Sequence, residues 1–165
     1  MRFVPILAAL LLIGPSFWAR PLAGQAVELD ESIYAVADYD PGRDPFADLK
    51  MTVERAKTEG KRILLNVGGT WCVWCAILDT YIAENTAVAE TLRESFLIMK
   101  VNYSPANRNA EFLSSYPEIL GYPHIYVLES DGSLLHSQNT AELESGSSYS
   151  EEAMLRFLEK WAPRR

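Results

Sequence analysis

The pattern of hydrophobic and polar residues predicts an alternation of helices and strands. In some segments apolar side chains recur every three or four residues, which is typical of helices, and in others they form short continuous runs, which is typical of buried strands. The predicted helices lie at residues 44–60, 72–96, 109–116 and 150–161, and the predicted strands at residues 63–67, 96–102, 124–128 and 134–136. The second helical pattern pauses near Asn85-Thr86.

The order of these elements predicts the fold class. Strands separated by helices pair in parallel, whereas the tight turn Ser130-Asp131-Gly132 joins the last two strands as an antiparallel hairpin. We therefore predict an α/β fold with a mixed central sheet, helices on both faces and a C-terminal helix.

The N-terminal residues follow a different pattern, which predicts export. Arg2 precedes an apolar run at residues 3–13, and small residues follow at 23–26, as in a secretory signal peptide. The run is short for a membrane span of about 20 residues, so we expect cleavage rather than stable membrane insertion. We predict a signal peptide at residues 1–26, a loosely attached lead-in with one short strand at 27–43, and one domain at 44–162. The protein would be periplasmic in a Gram-negative bacterium and otherwise secreted.

Charge limits the partners. The chain has a formal charge of −7, and loss of residues 1–26 removes two arginines and no acids, which leaves −9. Such an acidic balance argues against nucleic acid or an anionic membrane surface as a partner.

The only two cysteines, Cys72 and Cys75, lie in the stretch G-T-W-C-V-W-C-A at residues 69–76. They can form a structural disulfide, a metal site or a redox dithiol. A two-residue spacer closes too small a loop to constrain the unfolded chain much, and a domain of this size builds a core without a staple. Copper(I) held by the two thiolates, with His124 as a third ligand, is an alternative. The motif lacks a methionine cluster or a second cysteine pair, and structural zinc normally takes four ligands, so we predict no metal and no cofactor.

The sequence resembles the thioredoxin-like family. Residues 63–75, I-L-L-N-V-G-G-T-W-C-V-W-C, have the family's apolar strand, the tryptophan before the first cysteine and the C-x-x-C motif. Three further stretches match the family. Its next strand matches Lys100-Val101-Asn102, its cis-proline matches Gly121-Tyr122-Pro123, and its hairpin matches Asp131-Gly132. The resemblance covers about residues 45–161 and is strongest to exported thiol:disulfide interchange proteins and the C-terminal domain of the membrane-bound reductant transporter.

This resemblance implies a thiol:disulfide oxidoreductase that cycles between a Cys72/Cys75 dithiol and a disulfide. Cys72 lies where a helix begins, so unpaired backbone N–H groups favour its thiolate and make it the nucleophile, while Cys75, one turn later, is the resolving thiol. The implied partners are protein thiols or disulfides and a membrane-bound electron donor or acceptor. Val73-Trp74 lacks the histidine of strongly oxidising members, so we expect reductase or isomerase-like exchange. A binding module with incidental cysteines is a further alternative.

Five residues are candidates for binding a partner. Pro123 would be cis and present the backbone of Tyr122. Trp71 and Val73 would flank the nucleophile, although a simple packing role for the large Trp71 ring is equally open. Trp74 should be exposed between the cysteines. His124 follows the proline and is expected to be structural rather than a base or ligand.

Two residues are expected to tune the site. Asn66 stands six residues before Cys72, where thioredoxins usually have a buried aspartate that moves the proton of the resolving cysteine. An asparagine cannot take that proton. Lys100, which matches the lysine that accompanies this acid, would lack that partner unless water or another carboxylate substitutes.

Overall fold

Five strands form one mixed sheet in the computed structural model, which describes residues 30–164. The predicted signal peptide therefore lies outside the described residues. The strands are β1 (Tyr34–Val36), β2 (Arg62–Gly68), β3 (Phe96–Asn102), β4 (His124–Leu128) and β5 (Leu134–Asn139). Their order in the sheet is β1-β3-β2-β4-β5. β1 and β2 run parallel to β3, whereas β4 is antiparallel to both β2 and β5, so β2 lies in the middle of the sheet.

Helices cover both faces of this sheet. They are α1 (Pro45–Glu59), α2 (Val73–Glu84), α3 (Thr86–Ser95), α4 (Ala110–Leu113) and α5 (Glu151–Trp161). Side chains of α2, α3 and α5 form the core on one face, and side chains of α1 and α4 form the core on the other. The predicted α/β fold with a C-terminal helix is confirmed.

Local signals in the sequence explain where the helices begin and end. The Asp44 side chain accepts a hydrogen bond from the Phe46 N–H at 2.9 Å at the start of α1, and Gly60 ends α1 with φ of 66°, a left-handed conformation that suits glycine. Asn85 separates α2 from α3, because its side chain accepts from the Val88 N–H at 3.0 Å and starts a new helix. The pause in the apolar pattern therefore marks a helix boundary.

Three predictions about elements need correction. The helix predicted at residues 109–116 is limited to α4. The segment after β5, where the sequence pattern predicts no helix or strand, contains a 3₁₀ turn (Thr140–Leu143) and a small hairpin of β6 (Glu144–Ser145) and β7 (Ser148–Tyr149). The lead-in is not loosely attached, since its residues Ile33, Tyr34, Val36 and Tyr39 are buried.

Within the described part of the chain, no helix is long and apolar enough to span a membrane.

Candidate functional site

The two cysteines lie where β2 gives way to α2. Cys72 has an extended backbone and is the residue just before the first turn of α2, and its N–H donates to the Gly69 carbonyl at 3.0 Å. Cys72 and Cys75 form a disulfide. The Cys75 N–H points at Cys72 Sγ, 3.1 Å away. Such a backbone donor at a helix start stabilises negative charge on the Cys72 sulfur once the disulfide opens.

Burial distinguishes the two sulfurs. Cys72 is 6% exposed and Cys75 is 1% exposed, so Cys72 is the more accessible of the two. Both cysteines pack with Tyr39, which comes from the segment between β1 and α1. Gly68, the last residue of β2, allows this packing, because a Cβ there would lie 2.5 Å from Cys75 Sγ and 3.0 Å from the Tyr39 hydroxyl oxygen.

Lys100 pairs with a carboxylate that the sequence interpretation did not identify. Its Nζ donates to Asp79 Oδ2 at 2.8 Å, so another carboxylate takes the place of the aspartate that is missing at Asn66, which is one of the two substitutes expected from the sequence. Asp79 lies on α2, four residues after Cys75, and therefore on the same helical face. Cys72, Cys75, Asp79, Lys100 and Tyr39 line one cavity of about 260 Å³.

The pKa of Asp79 is raised above its ordinary value. Burial is the main cause, and it outweighs the opposing effects of the Lys100 ammonium and of the Tyr34 hydroxyl, which donates to Asp79 Oδ1 at 3.5 Å. A raised carboxyl pKa brings the carboxyl closer to the pKa of a thiol. Asp79 is thus better matched to proton exchange with a cysteine than an ordinary aspartate.

Asn66 lies deep on the same face of the sheet. It pairs in register with Lys100 on the neighbouring strand β3 and is 2% exposed. Its Oδ1 has no hydrogen-bond partner among the described residues. Asn66 is therefore a neighbour of Lys100 in the sheet, but the Lys100 ammonium binds Asp79 and not the Asn66 side chain.

Three aromatic side chains, Trp71, Tyr103 and Tyr122, form a band beside Cys72. The Tyr103 and Tyr122 rings stack with centroids 5.0 Å apart, and the Trp71 ring meets Tyr122 edge-on at 5.4 Å. Trp71 Nε1 donates to the Tyr103 carbonyl at 2.7 Å, which fixes the indole although half of the side chain is exposed. The Tyr122–Pro123 peptide bond is cis.

Val73 and Trp74, between the cysteines, have different environments. Val73 is 71% exposed. Trp74 is half-buried, which corrects the prediction that it is exposed: its ring packs edge-on against Tyr149 of β7 at 5.7 Å. The small hairpin β6–β7, which the sequence did not predict, covers this side of α2.

His124 is buried in the sheet as the first residue of β4. Its Nε2 lies 2.8 Å from Ser137 Oγ, and its Nδ1 has no partner among the described residues. Burial, aided by His136, lowers the pKa of His124, so the ring is neutral at pH 7. Within residues 30–164, no group of three or more His, Cys, Asp or Glu side chains is arranged to hold a metal ion. The copper(I) alternative therefore rests on the two sulfurs alone.

Three residues of the site were not predicted from the sequence: Tyr39, Asp79 and Tyr103. A signal existed for Asp79, because it follows Cys75 by one helical turn in a segment predicted as helix. Tyr103 also had a signal, since it follows the predicted strand β3, and parallel strands end at the same edge of a sheet. Tyr39 comes from a segment without periodicity and had none.

Comparisons with known proteins agree with this geometry. A model of the thioredoxin-like family matches residues 44–130. The thiol:disulfide interchange protein DsbD of Pseudomonas fluorescens is 26% identical over 120 residues, which are 72% of this chain and 19% of that protein. DsbD of Colwellia psychrerythraea is 27% identical over 105 residues, 63% of this chain and 17% of that protein. The chain spans about a fifth of the length of these curated relatives.

Solved structures give the same result. A disulphide isomerase from Xylella fastidiosa superposes with a TM-score of 0.63 at 26% identity, covering 74% of this chain and 94% of that one. The C-terminal domain of Neisseria meningitidis DsbD in its reduced form gives a TM-score of 0.52 at 20% identity over 76% and 99% of the two chains, which is a likeness in fold. The predicted thioredoxin-like fold is confirmed, and the C-x-x-C disulfide together with these relatives supports thiol:disulfide oxidoreductase chemistry.

Proposed function

Because this chain belongs to the thioredoxin-like family and holds its C-x-x-C cysteines as a disulfide at the start of α2, we propose that it is an exported thiol:disulfide oxidoreductase. Its substrates are thiols and disulfides of partner proteins. The observation that carries the proposal is the position of Cys72 as the residue that begins α2, with the Cys75 N–H directed at its sulfur.

In the first step of the proposed reduction, Cys72 attacks a partner's disulfide as a thiolate. The new bond joins Cys72 Sγ to one partner sulfur, and the other partner sulfur leaves as a thiolate. An unperturbed thiol has a pKa of about 8.5 and is mostly protonated at neutral pH. The backbone donor and the helix start favour the Cys72 thiolate, so Cys72 is ready to attack at neutral pH.

In the second step, Cys75 resolves the mixed disulfide. It loses its proton, attacks Cys72 Sγ and releases the remaining partner sulfur, so the partner gains two electrons and the cysteine pair loses them. Asn66 cannot accept the proton. Asp79 takes this role in the proposed mechanism, because it lies one turn from Cys75, lines the same cavity and has a raised pKa. Lys100 holds the carboxylate in place.

The aromatic band and Val73 form the proposed partner surface. Trp71 and Val73 are exposed on either side of Cys72, and Leu120, two residues before Tyr122, is 74% exposed. An exposed apolar surface beside a reactive sulfur suits an extended apolar segment of another protein. The backbone of Tyr122, before the cis bond to Pro123, would pair with that segment.

We further propose that exchange runs in the reductase or isomerase-like direction and that a membrane-bound donor or acceptor regenerates the cysteine pair. Val73-Trp74 lacks a histidine, and one similar solved structure is described as a disulphide isomerase. The apolar leader at residues 3–13 and the DsbD relatives support export to the periplasm. Equilibration with glutathione tests the direction, and an equilibrium constant like that of a strong oxidant would contradict it.

A trapping experiment tests the proposed function. With Cys75→Ala, a mixed disulfide on Cys72 should persist, and its partner can be identified by mass after non-reducing electrophoresis. The double variant Cys72→Ala/Cys75→Ala has no thiol, because the chain has no other cysteine, and it is the matched control. Wild-type protein should also reduce insulin in the presence of dithiothreitol, and Cys72→Ser should not. If Cys72→Ser retains the biological function, the cysteines are incidental and the binding-module alternative holds.

A further inference from the structure

Tyr39 lies against the disulfide with an unpaired hydroxyl. The residue is 7% exposed and packs in one cluster with Cys72 and Cys75. Its hydroxyl oxygen is one of three buried side-chain atoms among the described residues without a hydrogen-bond partner. Buried hydroxyls are normally paired, because an unpaired one has lost its bonds to water without replacement. This hydroxyl therefore needs an explanation.

The hydroxyl faces Cys75 across the space above Gly68. A Cβ at Gly68 would lie 2.5 Å from Cys75 Sγ and 3.0 Å from the Tyr39 hydroxyl oxygen, so these two atoms are at most 5.5 Å apart. The absence of a side chain on Gly68 keeps the space between them open. The Lys100 ammonium lies 5.1 Å from the centre of the Tyr39 ring and helps to hold the ring in place.

The Tyr39 hydroxyl keeps its proton at this position and is available as a donor. Burial raises its pKa well above the ordinary value, and the negative charge of Asp79 and the nearby Tyr34 and Tyr149 add to this effect, so the hydroxyl keeps its proton. Asp79, the charged group that acts most strongly on it, already accepts hydrogen bonds from Lys100 at 2.8 Å and from Tyr34 at 3.5 Å, one on each oxygen. The Cys75 sulfur is a further acceptor on this side, across the space above Gly68.

We propose that Tyr39 donates a hydrogen bond to the Cys75 sulfur when the disulfide is open, and that it thereby stabilises the resolving thiolate. This inference rests on the proposed thiol:disulfide exchange. A disulfide sulfur is a weak acceptor, whereas a thiolate is a charge-assisted one. Once its bond to Cys72 is broken, Cys75 Sγ is free to move towards Tyr39. The hydroxyl is thus unpaired in the disulfide form and paired in the reduced and mixed-disulfide forms.

The contact acts on the resolving step. The proton of Cys75 passes to the Asp79 carboxylate, as in the proposed mechanism, and the thiolate then attacks Cys72 Sγ, forms the Cys72–Cys75 bond and breaks the bond between Cys72 and the partner sulfur, which leaves as a thiolate. The partner disulfide has gained two electrons and the cysteine pair has lost them. The Tyr39 hydrogen bond lowers the free energy of the thiolate and is released as the disulfide closes.

The pKa of Cys75 gives the first test. In full-length Cys72→Ser protein, Cys75 is the only thiol, and its ionisation can be followed by the ultraviolet absorbance of the thiolate. Adding Tyr39→Phe should raise the pKa of Cys75 by about one unit, which is about tenfold less thiolate at a given pH. Tyr126→Phe is the matched control, because Tyr126 donates its hydroxyl to the Pro117 carbonyl at 2.5 Å, away from the cysteines. An unchanged Cys75 pKa in Tyr39→Phe overturns the proposal.

The stability of the disulfide form gives the second test. Because the Tyr39 hydroxyl is unpaired there, oxidised Tyr39→Phe should unfold at the same urea concentration as the oxidised wild type or at a higher one. Oxidised Tyr126→Phe loses the hydrogen bond from Tyr126 to the Pro117 carbonyl, so it should unfold at a lower urea concentration. If the two variants are equally destabilised, Tyr39 has a structural partner and the proposal fails. Neither measurement depends on exchange activity, so inactivity of the wild type towards insulin would refute the proposed function alone.

Discussion

Replacement of Asp79 by asparagine tests whether this carboxyl carries the proton of Cys75. The change has two opposing effects. It removes a base. Loss of a general base typically slows a step by a factor of about 10² or more, and the step here is the attack of Cys75 on the mixed disulfide. It also removes a negative charge near Cys75 and leaves Lys100 unopposed, which favours the thiolate.

The structure allows the second effect to be bounded. Side chains four apart on a helix have Cβ atoms about 5–6 Å apart, and at an effective dielectric of about 20 two charges at that distance interact by about 3 kcal/mol, or about two pKa units. The Asp79 side chain is 20% exposed and already neutralised by Lys100, so we expect the Cys75 pKa to fall by about one unit. About tenfold more thiolate then only partly offsets the lost base. Resolution near pH 6 should become about tenfold slower in Asp79→Asn.

Reduced protein mixed with a stoichiometric aromatic disulfide provides the assay. Attack by Cys72 releases one coloured thiol, and attack by Cys75 releases a second one in a first-order phase. The second phase should be slower in Asp79→Asn near pH 6 and should approach the wild-type rate near pH 9, where Cys75 ionises unaided. Asp38→Asn removes another acid that lines the same cavity but forms no salt bridge with a lysine among residues 30–164, and it is the matched control. If resolution in Asp79→Asn is as fast as in the wild type or faster near pH 6, Asp79 only raises the thiol pKa and carries no proton.

Two further predictions concern the surroundings of the cysteine pair. Gly68→Ala should destabilise the oxidised protein by about 1–3 kcal/mol in urea unfolding, because the new methyl group would overlap Cys75 Sγ and the Tyr39 ring; an unchanged urea midpoint would contradict the close packing. Asn66→Asp places a carboxyl at a 2% exposed position, where burial raises its pKa. Its stability relative to the wild type should therefore be nearly intact at low pH and fall by about 1–3 kcal/mol as the pH rises through that raised pKa. Equal losses at pH 5 and pH 8 would show that Lys100 turns from Asp79 to the new acid.

The sequence was sufficient to predict the fold and the reactive pair because both depend on local signals. The apolar run before Cys72 is too short for a helix and suits a buried central strand, and the helix after it begins within the motif, so the position of Cys72 followed without tertiary information. The hairpin after β4 followed from Asp131-Gly132, and Gly132 indeed has φ of 88°.

Predictions failed where a side chain's surroundings come from a distant segment. Trp74 was expected to be exposed because it lies between the cysteines, yet Tyr149, 75 residues later, packs on it. The covering hairpin β6–β7 has strands of only two residues, too short to produce an alternating pattern. Because this hairpin was not predicted, the burial of Trp74 beneath it was not predicted either.

Asparagine at position 66, where thioredoxins usually have an aspartate, changes the route by which the proton leaves Cys75. An acid at that position would lie in the core, because Asn66 is only 2% exposed. A proton that it took from Cys75 would then have to cross the protein interior to reach water. Lys100 instead pairs with Asp79, whose side chain is 20% exposed and lines the cavity that also contains both cysteines. A partner bound at Cys72 would cover that cavity and bury Asp79 further, and burial is already the main cause of its raised pKa. Docking should then raise the pKa of Asp79 towards that of the thiol at the moment when Cys75 must lose its proton. In the proposed mechanism, Asp79 is thus most effective as a base in the mixed-disulfide complex, where resolution takes place.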